Sequence, residues 1–149
     1  MKRKSLQGDL CPIARTLDVI GDWWSLLIIR DALLGTRRFS QFQKNLGVAK
    51  NILTTRLRTL AAQGILEVKP ASDGGAYQDY IPTEKARALF PVLVALRQWG
   101  EEHAFARGEN FSALVDRQDE KPLRKLEIRA HDGRLLDQTD TRIAGSMFT

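Results

Sequence analysis

Residues 50–63 constrain the fold of this chain most strongly. Leu53, Leu57 and Leu60 recur there at i, i+4 and i+7, which places three large apolar side chains on one face of an α-helix. Gly64 follows as a residue suited to a helix C-terminus. The pattern therefore predicts a helix that is buried along one side and open to solvent along the other.

A shorter helix is expected before this one, and two short strands are expected after it. Ser40 is the predicted N-cap of a helix that ends near Asn45, and a turn joins it to the next helix. Residues 65–69 and 77–81 predict strands on either side of a Pro/Asp/Gly-rich turn at 70–75. Two short helices joined by a turn and followed by a hairpin predict a winged helix-turn-helix.

Two further helices are expected nearer the start of the chain. Pro12 suits a first helical position, because the missing N–H has no partner there, and Gly21 breaks the helix that it opens. Residues 23–34 predict a second, largely buried helix, in which we expect both Trp23 and Trp24 to pack in the core.

A long helix is expected over residues 83–106, after the second strand. Thr83 is its predicted N-cap, and Pro91 should bend it by removing a backbone hydrogen bond. Its apolar surface is wide enough to suggest a partner.

The last part of the sequence has a different pattern. Residues 123–130 alternate like a strand, and Asp132-Gly133 is a hairpin signal. We therefore expect a mainly α-helical fold with a small amount of β structure. A winged helix-turn-helix domain with dimerisation helices is predicted over residues 1–106, and a C-terminal extension with a β-hairpin over residues 107–149.

The basic charge is concentrated in one stretch of the sequence. Residues 30–69 contain eight lysines and arginines against two acidic residues, whereas residues 70–149 contain eleven against thirteen. A contiguous basic stretch is typical of a polyanion-binding surface. The charge distribution therefore favours nucleic acid as a partner.

Several other classes of protein are disfavoured by the same sequence. The single cysteine, Cys11, excludes an internal disulfide framework and a zinc site made of several thiolates. The longest apolar run, residues 23–29, is too short to cross a membrane, and the N-terminal MKRKSLQGDL lacks an apolar signal core. Phosphate-loop, nucleophile-elbow and metal-ligand motifs are missing. We expect a cytoplasmic protein that is not an enzyme and has no cofactor or metal.

The open side of the helix at residues 50–63 has the composition of a DNA-reading surface. Asn51, Thr55 and Arg58 lie opposite the leucines, with Thr54 at the edge of this face. Asn pairs with adenine, Arg with guanine, and Thr offers a hydroxyl and a methyl group. Lys50, at the helix start, should reach a phosphate. These side chains are the predicted contacts of the helix with duplex DNA.

Basic residues outside this helix are predicted to position the protein on DNA. Arg37 and Arg38 precede the first helix of the motif, and Lys69 lies next to the predicted wing. Contacts of this kind to phosphates or the minor groove fix the register without reading the sequence. Arg56 lies toward the buried side of its helix, so an intramolecular role is at least as plausible for it as a DNA contact.

The order of these residues resembles that of the HxlR-type winged helix-turn-helix regulators, within the MarR-like superfamily. The resemblance covers roughly residues 9–105 and rests on Cys11-Pro12, Ile20-Gly21, Trp24, Arg38-Phe39-Ser40, Arg56-Leu57-Arg58, Gly64-Ile65-Leu66, Tyr80, Pro91-Val92-Leu93 and Trp99. Members of this family are dimeric DNA-binding regulators. The resemblance implies that the first and last helices form a homodimer and that the helix at residues 50–63 enters the major groove. One departure is Ala49, where the family usually has a Ser cap.

The resemblance also raises the question of an effector. Several regulators of this type respond to oxidants or electrophiles through a cysteine at the position of Cys11, where the helix dipole favours a thiolate. Without a second cysteine, the product would be an intersubunit disulfide or a mixed disulfide with a small thiol. A redox role for Cys11 and a small-molecule effector held among Trp23, Trp24 and Trp99 both stay open.

Two functions are compatible with the sequence. The first is a sequence-specific transcriptional regulator, with repression as the expected mode, that binds a pseudo-palindromic operator in double-stranded DNA as a homodimer. The alternative is a winged-helix protein-interaction module that uses its apolar C-terminal helix and has no DNA sequence specificity.

Overall fold

Helices and one small sheet follow each other along the chain in the predicted order. The computed structural model describes residues 4–145, and its elements are α1 (Pro12–Ile20), α2 (Trp23–Leu33), α3 (Phe39–Leu46), α4 (Lys50–Ala62), β1 (Leu66–Pro70), β2 (Gln78–Pro82), α5 (Glu84–Arg87), α6 (Phe90–His103) and a 3-10 turn (Gln138–Asp140). The chain divides into two units between Leu93 and Val94, inside α6. The mainly helical fold with a two-stranded antiparallel sheet confirms the predicted fold class.

The first two helices begin and end where their local sequence requires. Pro12 is the first residue of α1, and a side chain at Gly21 would clash with the carbonyl oxygen of Leu17. The Asp22 carboxylate caps α2 by accepting hydrogen bonds from the Trp24 and Ser25 amides, both at 3.0 Å. Trp24 packs against the core, but Trp23 is 86% exposed, so the prediction that both tryptophans are buried was wrong. Adjacent helical residues point about 100° apart, and only one of this pair faces the core.

Helix α3 starts earlier than the sequence suggested. Arg38 occupies the N-cap and Ser40 is the second helical residue, so the prediction of Ser40 as the cap was wrong. The Gln41 side-chain oxygen accepts from the Arg37 and Arg38 amides, each at 3.3 Å. Because Gln41 closes the helix start from within the first turn, a Ser cap is not needed.

The core of the first unit forms around the predicted leucine stripe. Leu53, Leu57 and Leu60 of α4 are all 1% exposed or less, which confirms their prediction as the buried face. They belong to one apolar cluster with Ile20, Ile28, Ile29, Ala32, Phe42, Val48, Ile65, Leu66 and Ala86. Burial of the leucine stripe against this cluster fixes how α4 is rotated, and so which residues it exposes on the opposite face.

The wing, residues 66–82, consists of β1, β2 and the turn between them. The strands pair antiparallel from Leu66 opposite Pro82 to Pro70 opposite Gln78. The amide of Tyr80 donates to the carbonyl oxygen of Arg37 at 2.8 Å, and the Tyr80 ring meets Phe42 edge-on at 6.4 Å. The wing is therefore joined to the helices by both backbone and side-chain contacts.

The predicted long helix is interrupted rather than bent. Thr83 caps α5, its hydroxyl accepting from the Ala86 amide at 3.4 Å, but α5 ends at Arg87 and α6 starts at Phe90. Pro91 has no N–H to donate to the carbonyl of Arg87, and its ring excludes that carbonyl. The break at residues 88–89 corrects the prediction of one continuous helix over residues 83–106.

The predicted C-terminal hairpin is present only as a turn with isolated pairing. Arg129 and Leu135 form one antiparallel bridge around Gly133, which has a φ of +93°. Ala130 donates its amide to the carbonyl of Arg134 at 2.8 Å, and no strand is assigned among the described residues of this part. Alternation alone does not produce a sheet here, because the apolar side chains of these residues remain largely exposed and no further strand pairs with them.

Candidate nucleic-acid interface

The exposed face of α4 contains the residues that the sequence predicted. Lys50, Asn51, Thr55 and Arg58 are exposed and Thr54 is half-buried. They lie on this face because the three leucines occupy the opposite one. The helix contains no acidic residue. It therefore presents hydrogen-bonding groups and positive charge without a carboxylate that would repel a phosphate.

Both threonines on this face have ordered hydroxyl groups. The Thr54 hydroxyl donates to the carbonyl oxygen of Lys50 at 2.8 Å, and the Thr55 hydroxyl donates to that of Asn51 at 2.9 Å. The hydroxyl protons are therefore used within the helix, while the oxygen lone pairs and the methyl groups can still meet a ligand. The chemistry of the face suits contacts to base edges, including the thymine methyl group.

The start of α4 is suited to an anion. Ala49 is its N-cap and has no side chain to accept from the first amides. A helix N-terminus attracts negative charge through its amides and its dipole, and Lys50 adds a full charge at the same end. Because no side chain caps this helix start, no side-chain acceptor competes with an anion for these amides.

Arg37 has a structural contact of its own. Its Nη1 atom donates to the carbonyl oxygens of Ala32 at 2.7 Å and Thr36 at 3.0 Å. The guanidinium thereby binds one carbonyl in the last turn of α2 and one in the loop that follows, and a positive charge at this end also suits the helix dipole. At least one of its nitrogens is engaged within the protein.

Arg38 is directed to the wing. Its Nη2 atom lies 2.5 Å from Oδ2 of Asp73, its Nε atom lies 3.6 Å from Oδ1 of Asp79, and its guanidinium carbon lies 5.5 Å from the centre of the Tyr77 ring. The hydrogen bond to Asp73 raises the pKa of Arg38. The same hydrogen bond, with a second from the Gly75 amide, lowers the pKa of the Asp73 carboxyl.

No local pattern in the sequence predicts Asp73, Tyr77 and Asp79 as partners of a basic residue. Asp73 was treated only as part of a turn signal, since it lies 35 residues from Arg38 and no local spacing connects them. No sequence signal identifies this contact, because it forms only when the wing folds against the start of α3.

Lys69 lies on β1 of the wing, and its side chain is half-exposed. Its Nζ atom is 3.7 Å from Oε2 of Glu67, in an ion pair between two exposed side chains. Exposed pairs of this kind bind weakly and exchange readily with other partners. Lys69 is thus available to a phosphate near the wing.

The contact of Arg56 is intramolecular, one of the two roles that the sequence left open. Its Nε atom lies 3.2 Å from Oδ2 of Asp22, the cap of α2. Partial burial alone would raise the pKa of Asp22, but hydrogen bonds from the Ser25 hydroxyl and amide, the charge of Arg56 and the Trp24 amide outweigh it, so the pKa lies below its ordinary value of 3.8. This ion pair ties α4 to the start of α2.

Cys11 occupies the N-cap of α1 and is a free, partly exposed cysteine. Its amide donates to Oδ1 of Asp9 at 2.8 Å.

Of the three tryptophans suggested for an effector site, Trp23 and Trp99 are exposed and Trp24 packs on the core of the first unit.

The second unit contains a half-open cavity of about 230 Å³. Its lining is mostly apolar, with Arg97, Gln98 and Glu101 as the polar residues.

None of the helices within residues 4–145 has the length and apolar character needed to cross a bilayer. Across the same residues, no three His, Cys, Asp or Glu side chains are grouped so that they could hold a metal ion.

Comparison with known proteins agrees with this geometry. The model of the HxlR-like helix-turn-helix family matches residues 19–107. An uncharacterized HTH-type transcriptional regulator of Mycobacterium tuberculosis is 41% identical over 91 residues, which make up 61% of this chain and 58% of that protein. The match therefore spans less than two thirds of that relative's length.

Solved structures share the fold. PA1607, described as a candidate transcription factor, is 51% identical with a TM-score of 0.90, and the match covers 95% of this chain and 99% of that one. The oxidized form of the redox regulator HypR is 31% identical with a TM-score of 0.58, covering 64% of this chain and 100% of that one. Since the family model covers more than half of the sequence and these structures share the winged-helix fold, the protein belongs to the HxlR-like helix-turn-helix family.

Proposed function

We propose that this protein is a DNA-binding transcriptional regulator that inserts α4 into the major groove. The observation that carries the proposal is the acid-free exposed face of α4, which lies opposite a fully buried leucine stripe. Burial of the stripe holds the helix in one orientation, so its polar residues are presented together. The printed name of the mycobacterial relative, an HTH-type transcriptional regulator, supports the same function.

The residues of this face would make different kinds of contact with DNA. Asn51 and Arg58 would read adenine and guanine by paired hydrogen bonds, and Thr54 and Thr55 would contact base edges or thymine methyl groups. Lys50 and the first amides of α4 would bind a phosphate.

Two basic residues beyond α4 would contribute to positioning. Lys69 on the wing would neutralise a phosphate beside the groove. The nitrogens of Arg37 that are not used in capping α2 would do the same at the start of the motif.

We propose that the regulator acts as a homodimer on a pseudo-palindromic operator and represses transcription by occupying it. Each unit exposes apolar side chains that support an interface between copies: Leu10, Ile13 and Leu17 in and just before α1 of the first unit, and Leu96 and Trp99 on α6 in the second. A large exposed apolar surface usually marks an interaction site. In such a dimer the two α4 helices would lie about 34 Å apart, one turn of the duplex.

Fluorescence anisotropy tests the proposal. The full-length protein is titrated into its own upstream DNA and into a scrambled duplex at two salt concentrations. We expect preference for the native fragment and affinity that falls steeply with salt, by about 0.9 log units per log unit for each phosphate neutralised. Arg58→Ala should lose about tenfold or more for the native fragment and little for the scrambled one.

Arg107→Ala is the matched control, because Arg107 is an exposed arginine of the second unit and its removal changes the net charge equally. It should leave the preference for the native fragment intact. Equal or absent binding to both duplexes would contradict the proposal and favour the alternative, a protein-interaction module that does not read DNA sequence.

We propose, as a second function, that an oxidant regulates the dimer through Cys11. Similarity to the redox regulator HypR favours this role, as does the partly exposed thiol at the start of α1. Diamide would take up two electrons and two protons as two Cys11 thiols join in one intersubunit disulfide. Non-reducing electrophoresis should then show a dimer, and the Cys11→Ser variant should stay monomeric on the gel. A wild-type protein that forms no dimer, or that binds DNA equally before and after diamide, would contradict this role.

A further inference from the structure

The Arg38 guanidinium contacts three residues of the wing at once. Asp73 lies in the turn, Tyr77 lies just before β2 and Asp79 lies within β2. Arg38 itself is the N-cap of α3, the first helix of the helix-turn-helix. A single side chain therefore links the start of this motif to both sides of the wing turn.

The two aspartates divide their oxygens in the same way. Asp73 accepts the Gly75 amide with Oδ1 at 2.9 Å and the Arg38 guanidinium with Oδ2 at 2.5 Å. Asp79 accepts the Ser72 amide with Oδ2 at 3.3 Å, and its Oδ1 lies 3.6 Å from Nε of Arg38. Each carboxylate thus uses one oxygen to shape the turn and directs the other to Arg38.

The burial of Asp79 makes Arg38 necessary to this arrangement. Asp79 is 6% exposed, and no group forms a hydrogen bond with its Oδ1 atom within the described part of the chain. A buried carboxylate is strongly disfavoured without an opposite charge nearby. Arg38 supplies that charge at 3.6 Å, and the Tyr77 ring provides an additional favourable surface for the guanidinium.

We propose that Arg38 is a positioning residue that holds the wing in its DNA-binding orientation through Asp73, Tyr77 and Asp79. We name these four residues the wing latch. The inference replaces the direct phosphate contact predicted for Arg38, and its consequence for DNA rests on the proposed function. The wing tip would reach the minor groove next to the α4 site only while the latch is closed.

Asp73 distinguishes this role from a competing one. Were Asp73 only a shield that keeps Arg38 from a phosphate, its removal would free the guanidinium and strengthen DNA binding. In the latch, its removal loosens the wing and weakens DNA binding. Asp73→Asn is informative because asparagine keeps the acceptor for the Gly75 amide and removes the charge that Arg38 needs. The two roles therefore predict opposite changes in the DNA affinity of Asp73→Asn.

The first experiment needs no DNA. Amide hydrogen exchange is followed by NMR in the full-length wild type and in Arg38→Ala. We expect the amides of the wing turn, at Ser72 and Gly75, to exchange about tenfold faster in the variant, since their acceptors lose the charge that holds them in place. Amides of α4 should keep their protection. Arg107→Ala is the control and should change neither set. Unchanged exchange in the wing of Arg38→Ala would overturn the latch.

The second experiment measures what the latch does on DNA. Hydroxyl-radical cleavage reports minor-groove contacts at the flanks, and dimethyl sulfate reports guanine N7 in the major groove. Arg38→Ala should lose the flanking protection and keep the major-groove protection, with affinity about tenfold lower. Retention of both would overturn the role in positioning, and so would loss of both, because the latch acts on the wing and not on α4.

Asp73→Asn completes the test. Weaker binding supports the latch, whereas tighter binding overturns it in favour of the shield. Absence of DNA binding by the wild type would contradict the proposed function alone, because amide exchange in the free protein decides separately whether the latch exists.

Discussion

Different interactions stabilise each of the two units of this chain. In the first unit, α2, α3, α4 and β1 contribute to a single cluster whose large side chains are almost completely buried. In the described part of the second unit, Val94 is the one buried apolar residue, while Leu126, Ile128 and Leu135 stay largely exposed. Polar contacts, such as the two hydrogen bonds between the Gln98 side chain and the backbone of Arg124 and Leu126, take the place of a core. Burial fixes the orientation of α4 in the first unit, and no comparable constraint acts on the C-terminal turn.

The largest difference between the two units should appear when one apolar side chain is shortened in each. Leu57→Ala in α4 should lower the free energy of unfolding by about 2–5 kcal/mol, because it leaves a cavity in a packed core. Ile128→Ala in the second unit should change it by no more than about 0.5 kcal/mol, since that side chain is 66% exposed. Urea denaturation followed by circular dichroism measures both.

Equal losses of unfolding free energy in Leu57→Ala and Ile128→Ala would contradict the difference in packing between the two units. That result would mean that Ile128 is buried in the protein in solution, for example against a second copy. Repeating the denaturation at several protein concentrations would identify such an effect, because stability derived from association rises with concentration.

A smaller loss is expected at the edge of the core of the first unit, where Asp22 caps α2 and pairs with Arg56. Asp22→Ala should lower stability by about 1–2 kcal/mol through loss of the cap. Asp22→Asn keeps a good cap and isolates the effect of charge. The pKa of Asp22 is lowered in the folded protein, so its contribution is present above its ordinary value of 3.8 and is lost as the pH falls through the folded value below it.

Unfolding of the wild type and Asp22→Asn between pH 7 and pH 2 measures this contribution. The wild type should be the more stable at pH 7, and the difference should shrink below pH 3.8. A difference that stays constant with pH would show that the carboxylate charge does not stabilise the fold.

The sequence predicted the first unit better than the second for the same physical reason. The leucine stripe of α4 identified its buried face, and with it the exposed Asn51, Thr55 and Arg58. Periodicity of this kind works where a core exists to bury the stripe. Long-range polar contacts were not predictable, because the pairing of Arg38 with Asp73 depends on the folded wing and has no local sequence pattern.

Two predictions were wrong for different physical reasons. Pro91 broke the predicted helix at residues 83–106 instead of bending it, because it lies just inside the start of a new helix. The alternating residues 123–130 did not form a strand, since a period of two specifies a strand only where one face is covered. Both concern features that local sequence patterns suggest and tertiary contacts decide.

Gln98 tests how the second unit keeps its shape without a core. Its amide donates to the carbonyl of Arg124 at 3.0 Å and its side-chain oxygen accepts from the Leu126 amide at 2.8 Å. Gln98→Ala should lower global stability by at most about 1 kcal/mol, because the contacts are exposed. The Leu126 amide should exchange faster while the amides of α4 stay protected. Exchange that rises in both places would show that the two units unfold together.

The smallest effect on stability is expected at Lys69. Its Nζ atom lies 3.7 Å from Oε2 of Glu67, and both side chains are more than half exposed, so Lys69→Ala should change the free energy of unfolding by less than about 0.5 kcal/mol. Lys125→Ala in the second unit is the matched control, because Lys125 forms a similar exposed pair at 3.6 Å with Glu102. The two variants should differ on DNA. Loss of a phosphate contact at the wing would reduce the salt slope of Lys69→Ala by about 0.9, whereas Lys125→Ala should keep the wild-type slope. Equal salt slopes of DNA affinity in Lys69→Ala and the wild type would show that Lys69 does not contact DNA. The positive charge of the DNA interface would then come mainly from α4.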